Sequence, residues 1–166
     1  MSEQGAELIV PNPDQVEEVL EMLVGKSISV KRTQNSFSGL SAGTYSVYNF
    51  EDGENGAVVY CSLGLTNALG AAIMMIPPGA AEDATDEGEI PKNLFDNYSE
   101  VANVMTSMLN DKRSHAKRVL LDAVYQSVDD LPENAKHTFE TSTRTASFEV
   151  GISGGYPGGD LKFACI

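Results

Sequence analysis

The sequence predicts a single α+β domain spanning residues 1–166, with a mixed or antiparallel sheet of about six strands packed with helices. A chain of 166 residues has the length of one domain. Apolar residues recur at helical spacing in some segments and alternate with polar residues in others. Turn residues separate these segments in the order helix, three strands, two helices, strand, short helix and two strands, which favours helices packed against one sheet.

The first half of the chain predicts one helix followed by three strands. The helix begins at Pro13, where Asn12 is placed to cap it, and it ends before Gly25. The Asp-Gly and Asn-Gly pairs within residues 51–56 are typical of a hairpin turn, because these residues tolerate positive φ. Residues 1–11 are expected to be disordered. The three strands are expected over residues 27–32, 45–49 and 57–63.

The second half predicts the remaining helices and strands. An apolar helix is expected over residues 64–76, because the Pro-Pro-Gly sequence that follows stops it. Residues 80–89 are expected to form an acidic loop or a loose helix. The most regular helix runs from Pro91 to Asn110. A short helix and three strands complete the set, over residues 131–140, 117–127, 143–152 and 161–166.

The charge balance excludes several classes of partner. The chain has 24 acidic and 11 basic side chains, for a net charge of −13. Such a surface repels a phosphate backbone, so we expect neither nucleic-acid binding nor attachment to an anionic membrane. The N-terminal residues lack a basic segment followed by an apolar one, so no signal peptide is expected. Two cysteines are too few for a disulfide scaffold, and a cytoplasmic location is expected.

The helix from Pro91 carries the residues that bear on function. One of its faces is apolar and predicts contact with the core. The opposite face aligns two carboxylates, an amide and a hydroxyl. The apolar residues are Leu94, Tyr98, Val101, Met105 and Met108, and the polar residues are Asp96, Glu100, Asn103 and Ser107.

A polar stripe is also what any amphipathic helix shows to water. Asn103 is the member that fits this explanation least well, because Asn is a poor residue in the middle of a helix. Its cost of about 0.5 kcal/mol relative to Ala is too small to distinguish a site from an ordinary surface.

The segment from Asp96 to Asn103 resembles the signature of the CheC/CheX/FliY family of chemotaxis phosphatases. That signature is Asp or Ser, three residues, Glu, two residues and Asn. The flanking order is also similar, with a strand at residues 56–60 and the apolar helix at 64–76 before the motif. The chain carries one copy of the motif, as in CheX. It departs from the family signature at Gln126, where a proline is expected.

The resemblance implies a CheC/CheX-like fold and hydrolysis of the aspartyl phosphate of a CheY-like response regulator. Asn103 would orient the attacking water, and Glu100 would pair with the active-site Lys of the regulator. Asp96 and Ser107 are expected to contact the partner. No cofactor of its own is expected, because the regulator carries the Mg²⁺.

Other interpretations of the sequence stay open. The fold could serve as a non-catalytic interaction module in signalling, or the chain could be an unrelated acidic adaptor whose polar stripe is ordinary surface. The oligomeric state is also open, and a homodimer is one option. No metal site is expected, because His115 and His137 lack the spacing of metal ligands.

Overall fold

Six antiparallel strands form one sheet in the computed structural model, which describes residues 8–34, 42–111 and 117–166. The strand order across the sheet is β1-β5-β6-β3-β2-β4. The strands are β1 (Ile28–Thr33), β2 (Gly43–Phe50), β3 (Asn55–Ser62), β4 (Val119–Tyr125), β5 (Arg144–Ile152) and β6 (Gly159–Cys165). The helices are α1 (Pro13–Val24), α2 (Leu63–Ala72), α3 (Pro78–Asp86), α4 (Lys92–Val104), α5 (Thr106–Leu109) and α6 (Glu133–Thr141).

Both ends of helix α1 are defined by its sequence. The side chain of Asn12 accepts a hydrogen bond from Gln15 N–H at 2.9 Å, and Gln15 Oε1 accepts one from Asn12 N–H at 3.0 Å. This reciprocal capping satisfies amide groups that the first turn of a helix leaves free. Gly25 ends the helix at φ 67°, a left-handed conformation that glycine adopts without strain.

The two faces of the sheet are covered unequally. Helices α1, α2 and α4 cover one face, and their apolar side chains form the larger core cluster with those of the strands. Helix α6 covers part of the other face, where Phe139 packs edge-on against Tyr45 with ring centroids 5.3 Å apart. Helix α4 therefore lies on the more extensively covered face, with its apolar side against the sheet.

The structure corrects the expected element boundaries in several places. The apolar helix expected over residues 64–76 is α2, which ends at Ala72, and Pro78 begins α3 instead of stopping α2. The Asn-Gly pair expected in the hairpin turn forms the start of β3.

Residues 80–89, expected as a loop or loose helix, belong largely to the regular helix α3. The helix expected to continue to Asn110 ends at Val104, and the short helix α5 follows it. Within the segment expected to be disordered, residues 1–7 lie outside the described residues, whereas Leu8 is buried and donates its N–H to Ile166 O at 3.4 Å. The end of β6 offers a backbone partner that the sequence pattern does not reveal.

A glycine on α2 allows α4 to approach closely. A Cβ atom at Gly70 would lie 2.4 Å from Leu94 O, which is closer than van der Waals contact permits. The carbonyl of Gly70 also accepts a hydrogen bond from Asn97 Nδ2 at 2.9 Å. Gly70 thus determines how deeply the first half of α4 lies against α2.

None of the helices in the described part of the chain is both long and apolar enough to cross a bilayer.

Candidate functional site on helix α4

The polar stripe of α4 and α5 faces outward. Its members Asp96, Glu100, Asn103 and Ser107 are all exposed. The apolar residues on the other side of the helix are buried, as the sequence periodicity predicts. No other described element of the chain covers the stripe, so it is open to a partner.

The outer members of the stripe have contacts within the helix. Asp96 Oδ2 accepts an ion-paired hydrogen bond from Lys92 Nζ at 2.8 Å, one turn earlier, and this pairing raises the pKa of Lys92. Both side chains are largely exposed, so the pair is screened by water and contributes little to stability. Ser107 Oγ donates to Val104 O at 3.0 Å.

The central members, Glu100 and Asn103, differ from their neighbours. Within the described residues neither side chain forms a hydrogen bond or an ion pair. They lie one turn apart on the same face, where side chains three residues apart are about 5–6 Å from each other at Cβ. A carboxylate and an amide are therefore exposed next to each other, and neither has a hydrogen-bond partner among the described residues.

Two asparagines fasten the helical segments to the rest of the fold. Asn97 donates to the carbonyl of Gly70 on α2. Asn110, just after α5, donates through Nδ2 to Val119 O at 2.9 Å and accepts from Val119 N–H at 2.8 Å. Bonds before and after the pair of Glu100 and Asn103 thus hold the segment against α2 and β4.

A third attachment comes from the sheet. The buried phenol of Tyr48, on β2, donates to Ala102 O at 2.6 Å. Burial raises the pKa of Tyr48, so the hydroxyl keeps its proton and acts as a donor. Ala102 directly precedes Asn103, so the sheet contacts the helix backbone next to the candidate water-orienting residue.

The fold has solved counterparts. The middle domain of FliM from H. pylori superimposes with a TM-score of 0.60 and 8% identity, covering 92% of this chain and 84% of that one. FliM in the FliG-FliM complex from H. pylori gives a TM-score of 0.54 and 7% identity, covering 92% and 85%.

The chain has the fold of the FliM middle domain. This likeness confirms the predicted α+β fold, which was expected to be CheC/CheX-like, and at such low identity it concerns the fold alone. FliY from Thermotoga maritima matches with a TM-score of 0.49 and 16% identity, covering 91% of this chain and 87% of that one. The sequence matches no protein-family profile and no curated protein.

The other side chains that could carry chemistry are the cysteines, the histidines and the acidic residues. Among the described residues, no group of three or more His, Cys, Asp or Glu is arranged to hold a metal ion. The two buried thiols, Cys61 and Cys165, have their pKa values raised to about 12 by burial, so neither is a nucleophile near neutral pH. Of the two histidines, His137 is exposed on α6 and His115 lies outside the described residues. An exposed amide can orient a water, and an exposed carboxylate can bind a cation.

Sequence reasoning missed the residues that hold the stripe in place. The alternation in β2 sets Tyr48 on the opposite side from Tyr45 and Val47, and it gives no sign that both sides are buried. Asn97 lies inside the motif but serves as a contact to α2 rather than as a surface residue. Asn110 was expected only as the end of the helix. The signal that could have found these residues is a polar group at a buried position, which needs a bonding partner.

Proposed function

We propose that this protein is a phosphatase that hydrolyses the aspartyl phosphate of a CheY-like response regulator. The observation that carries the proposal is the pair of Glu100 and Asn103, which has no partner in the described part of the chain and is exposed on a segment held to α2, β2 and β4. Their spacing resembles the signature of the CheC/CheX/FliY phosphatases. The fold shared with the FliM middle domain also agrees with the CheC/CheX-like fold that the motif implies.

Asn103 would act on the water that attacks phosphorus. Hydrolysis of an aspartyl phosphate needs a water in line with the P–O bond that breaks, and stabilisation of charge on the transferring phosphoryl group. The amide oxygen of Asn103 can accept a hydrogen bond from this water, and the amide N–H can donate to a phosphoryl oxygen. A carboxylate in the same place would repel the phosphoryl group.

Glu100 would bind the partner. A regulator with an active-site Lys presents a cation near its phosphoryl group, and a free carboxylate one turn from Asn103 can pair with it. Asp96 and Ser107 would extend the contact along the helix. The Mg²⁺ that neutralises the phosphoryl oxygens would remain a ligand of the regulator.

A non-catalytic binding module is the second candidate. The observation that favours it is that two solved structures of similar fold are of FliM, one of them in the FliG-FliM complex. On this alternative the stripe is a docking surface for a protein, and Asn103 contributes to binding without orienting a water.

The release of phosphate from phosphorylated receiver domains of the same host, with Mg²⁺ present, tests the proposal. We expect the wild-type protein to accelerate release, and Asn103→Ala and Glu100→Ala to lose the acceleration. Asn93→Ala is the matched control, because it removes another exposed amide from the same helix outside the motif. Binding of a regulator without any acceleration would overturn the phosphatase and support the binding module.

A further inference from the structure

We propose that Tyr48 is a positioning residue for Asn103, because its phenol determines where the motif helix ends. This inference rests on the proposed function, since it concerns the same water-orienting side chain. It adds a residue on strand β2, far from the motif in sequence, to those on which the activity depends.

The hydrogen bonds around Ala102 show how the helix is interrupted. Met105 N–H donates to Val101 O at 3.0 Å and closes the last turn of α4. The next bond of an α-helix would join Thr106 N–H to Ala102 O. The helix is broken at this step, with Met105 outside both α4 and α5. The carbonyl of Ala102 instead accepts the phenol of Tyr48.

Helical bonding then resumes in a new segment. Asn110 N–H donates to Thr106 O at 3.0 Å, and Met108 N–H donates to Met105 O at the same distance. Asn103 therefore lies in the last turn of α4, directly before a break, and not in the middle of a continuous helix. Interruption of the bonding ladder is a recognised cause of a local change in helix direction.

The phenol connects this break to a rigid part of the fold. Tyr48 is fully buried and paired with strands on both sides, opposite Ala57 of β3 and Leu121 of β4. The hydroxyl of Tyr48 therefore has a fixed place within the sheet. Its bond to Ala102 O thus determines the position of the backbone on which the Asn103 side chain stands, relative to Glu100.

Tyr98 provides the internal comparison. It is also fully buried, and it lies on α4 itself, yet its hydroxyl donates to no backbone carbonyl in the described part of the chain. Removing that hydroxyl changes the volume and polarity of the core about as much as removing the hydroxyl of Tyr48. Only the Tyr48 hydroxyl contacts the backbone beside Asn103.

The test compares Tyr48→Phe with Tyr98→Phe by two measurements. In dephosphorylation of a receiver domain, we expect Tyr48→Phe to lower kcat by about tenfold with little change in KM, because Asn103 is displaced while the docking surface persists. In amide hydrogen exchange, the Thr106 amide should exchange about ten times more slowly in Tyr48→Phe, because Ala102 O becomes free to accept it. Tyr98→Phe should change neither quantity.

The two measurements separate this inference from the proposed function. If the wild type accelerates no dephosphorylation, the phosphatase proposal fails, and the Thr106 amide still tests the helix break. An unchanged kcat in folded Tyr48→Phe, or an unchanged Thr106 amide, would overturn the positioning role. If Tyr48→Phe does not fold, NMR of the wild-type protein tests the hydrogen bond directly. A slowly exchanging hydroxyl proton of Tyr48 in contact with Ala102 supports the bond, and its absence contradicts it.

Discussion

Helices α1 and α4 carry the same spacing of polar residues and differ in what the third residue does. Each has an aspartate, a glutamate four residues later and a further polar residue three after that. The two sets are Asp14, Glu18 and Glu21 on α1 and Asp96, Glu100 and Asn103 on α4. Both helices lie on the same face of the sheet, and both contribute to the larger core cluster.

The third residue of the polar set on α1 links the helix to the sheet. Glu21 is half-buried, and its Oε2 accepts a hydrogen bond from Ile28 N–H at 3.1 Å, where β1 begins. Asn103 is exposed and has no partner within the described residues. The same spacing of polar residues therefore does not give both helices a candidate site. A residue that joins two elements of the fold is not free to act on a partner.

The two helices also differ in which contacts define their ends. Helix α1 has a side-chain cap at its start and a left-handed glycine at its end, so its boundaries come from adjacent residues. Helix α4 has no side-chain cap, and it ends where a tyrosine from the sheet binds its backbone. Local residues define α1, whereas tertiary contacts define the helix that carries the candidate site.

The largest expected effect is the loss of activity when the amide of Asn103 on α4 is removed. Asn103→Ala should lower the rate of regulator dephosphorylation by about 100-fold, the usual cost of losing one group that binds the transition state. The phosphate-release assay measures this change. The free energy of unfolding should not fall, because the exposed side chain of Asn103 makes no hydrogen bond to any described residue.

A substitution on α1 tests whether the spacing of the motif is sufficient for activity. In the Asn103→Ala background, Glu21→Asn gives α1 the complete motif. We expect no recovery of activity, because the position is half-buried and lies beside the start of β1. Recovery would show that spacing alone suffices, and the distinction drawn between the two helices would then be incorrect.

The next largest effect concerns how α4 lies on α2. Gly70→Ala should lower the free energy of unfolding by about 2 kcal/mol, because the new methyl group would overlap Leu94 O. Urea unfolding measures the change. Gly79→Ala is the control: nothing lies within 4 Å of its Cβ position, so the better helix propensity of Ala should raise stability by up to about 1 kcal/mol. Equal effects of the two substitutions would contradict the close approach.

The buried thiol of Cys61, in the core beneath α4, should make the free energy of unfolding decrease at high pH. Burial raises the pKa of Cys61 from 9.0 to about 12, so the unfolded thiol ionises at a pH where the native thiol remains protonated. The stabilisation is complete below pH 9 and is lost as the pH rises from there to about 12, by up to about 1.4 kcal/mol per pH unit. Urea unfolding at pH 8 and pH 10 measures the loss. A Cys61→Ala variant should show a shallower decrease, and an identical slope would assign the loss to other groups.

The smallest expected effect is on the helix that does not carry the site. Asn12→Ala removes the side-chain acceptor for Gln15 N–H and should lower the free energy of unfolding by about 1 kcal/mol. Thermal unfolding measures this change. Phosphatase activity should be unaffected, and a large loss of activity would mean that α1 takes part in the site.

The sequence predicted most elements because their signals are local. The cap at Asn12, the glycine at Gly25 and the Asp-Gly turn each act within a few residues, and the structure contains all three features where they were expected. The stripe on α4 followed from periodicity alone. The length of that helix did not, because its end depends on Tyr48, a residue that lies more than fifty positions earlier in the chain.

Neighbouring residues in the chain are therefore enough to predict which helix face is polar, which residues alternate in the strands and where the local caps lie. The contacts between elements become visible only in the folded chain: Asn97 and Asn110 bind the motif segment to α2 and β4, and Glu21 binds the start of β1. Asn103, in contrast, is exposed beside a break and has no partner among the described residues. The physical reason is that a buried polar group must find a partner, and that partner is chosen by packing across the sheet.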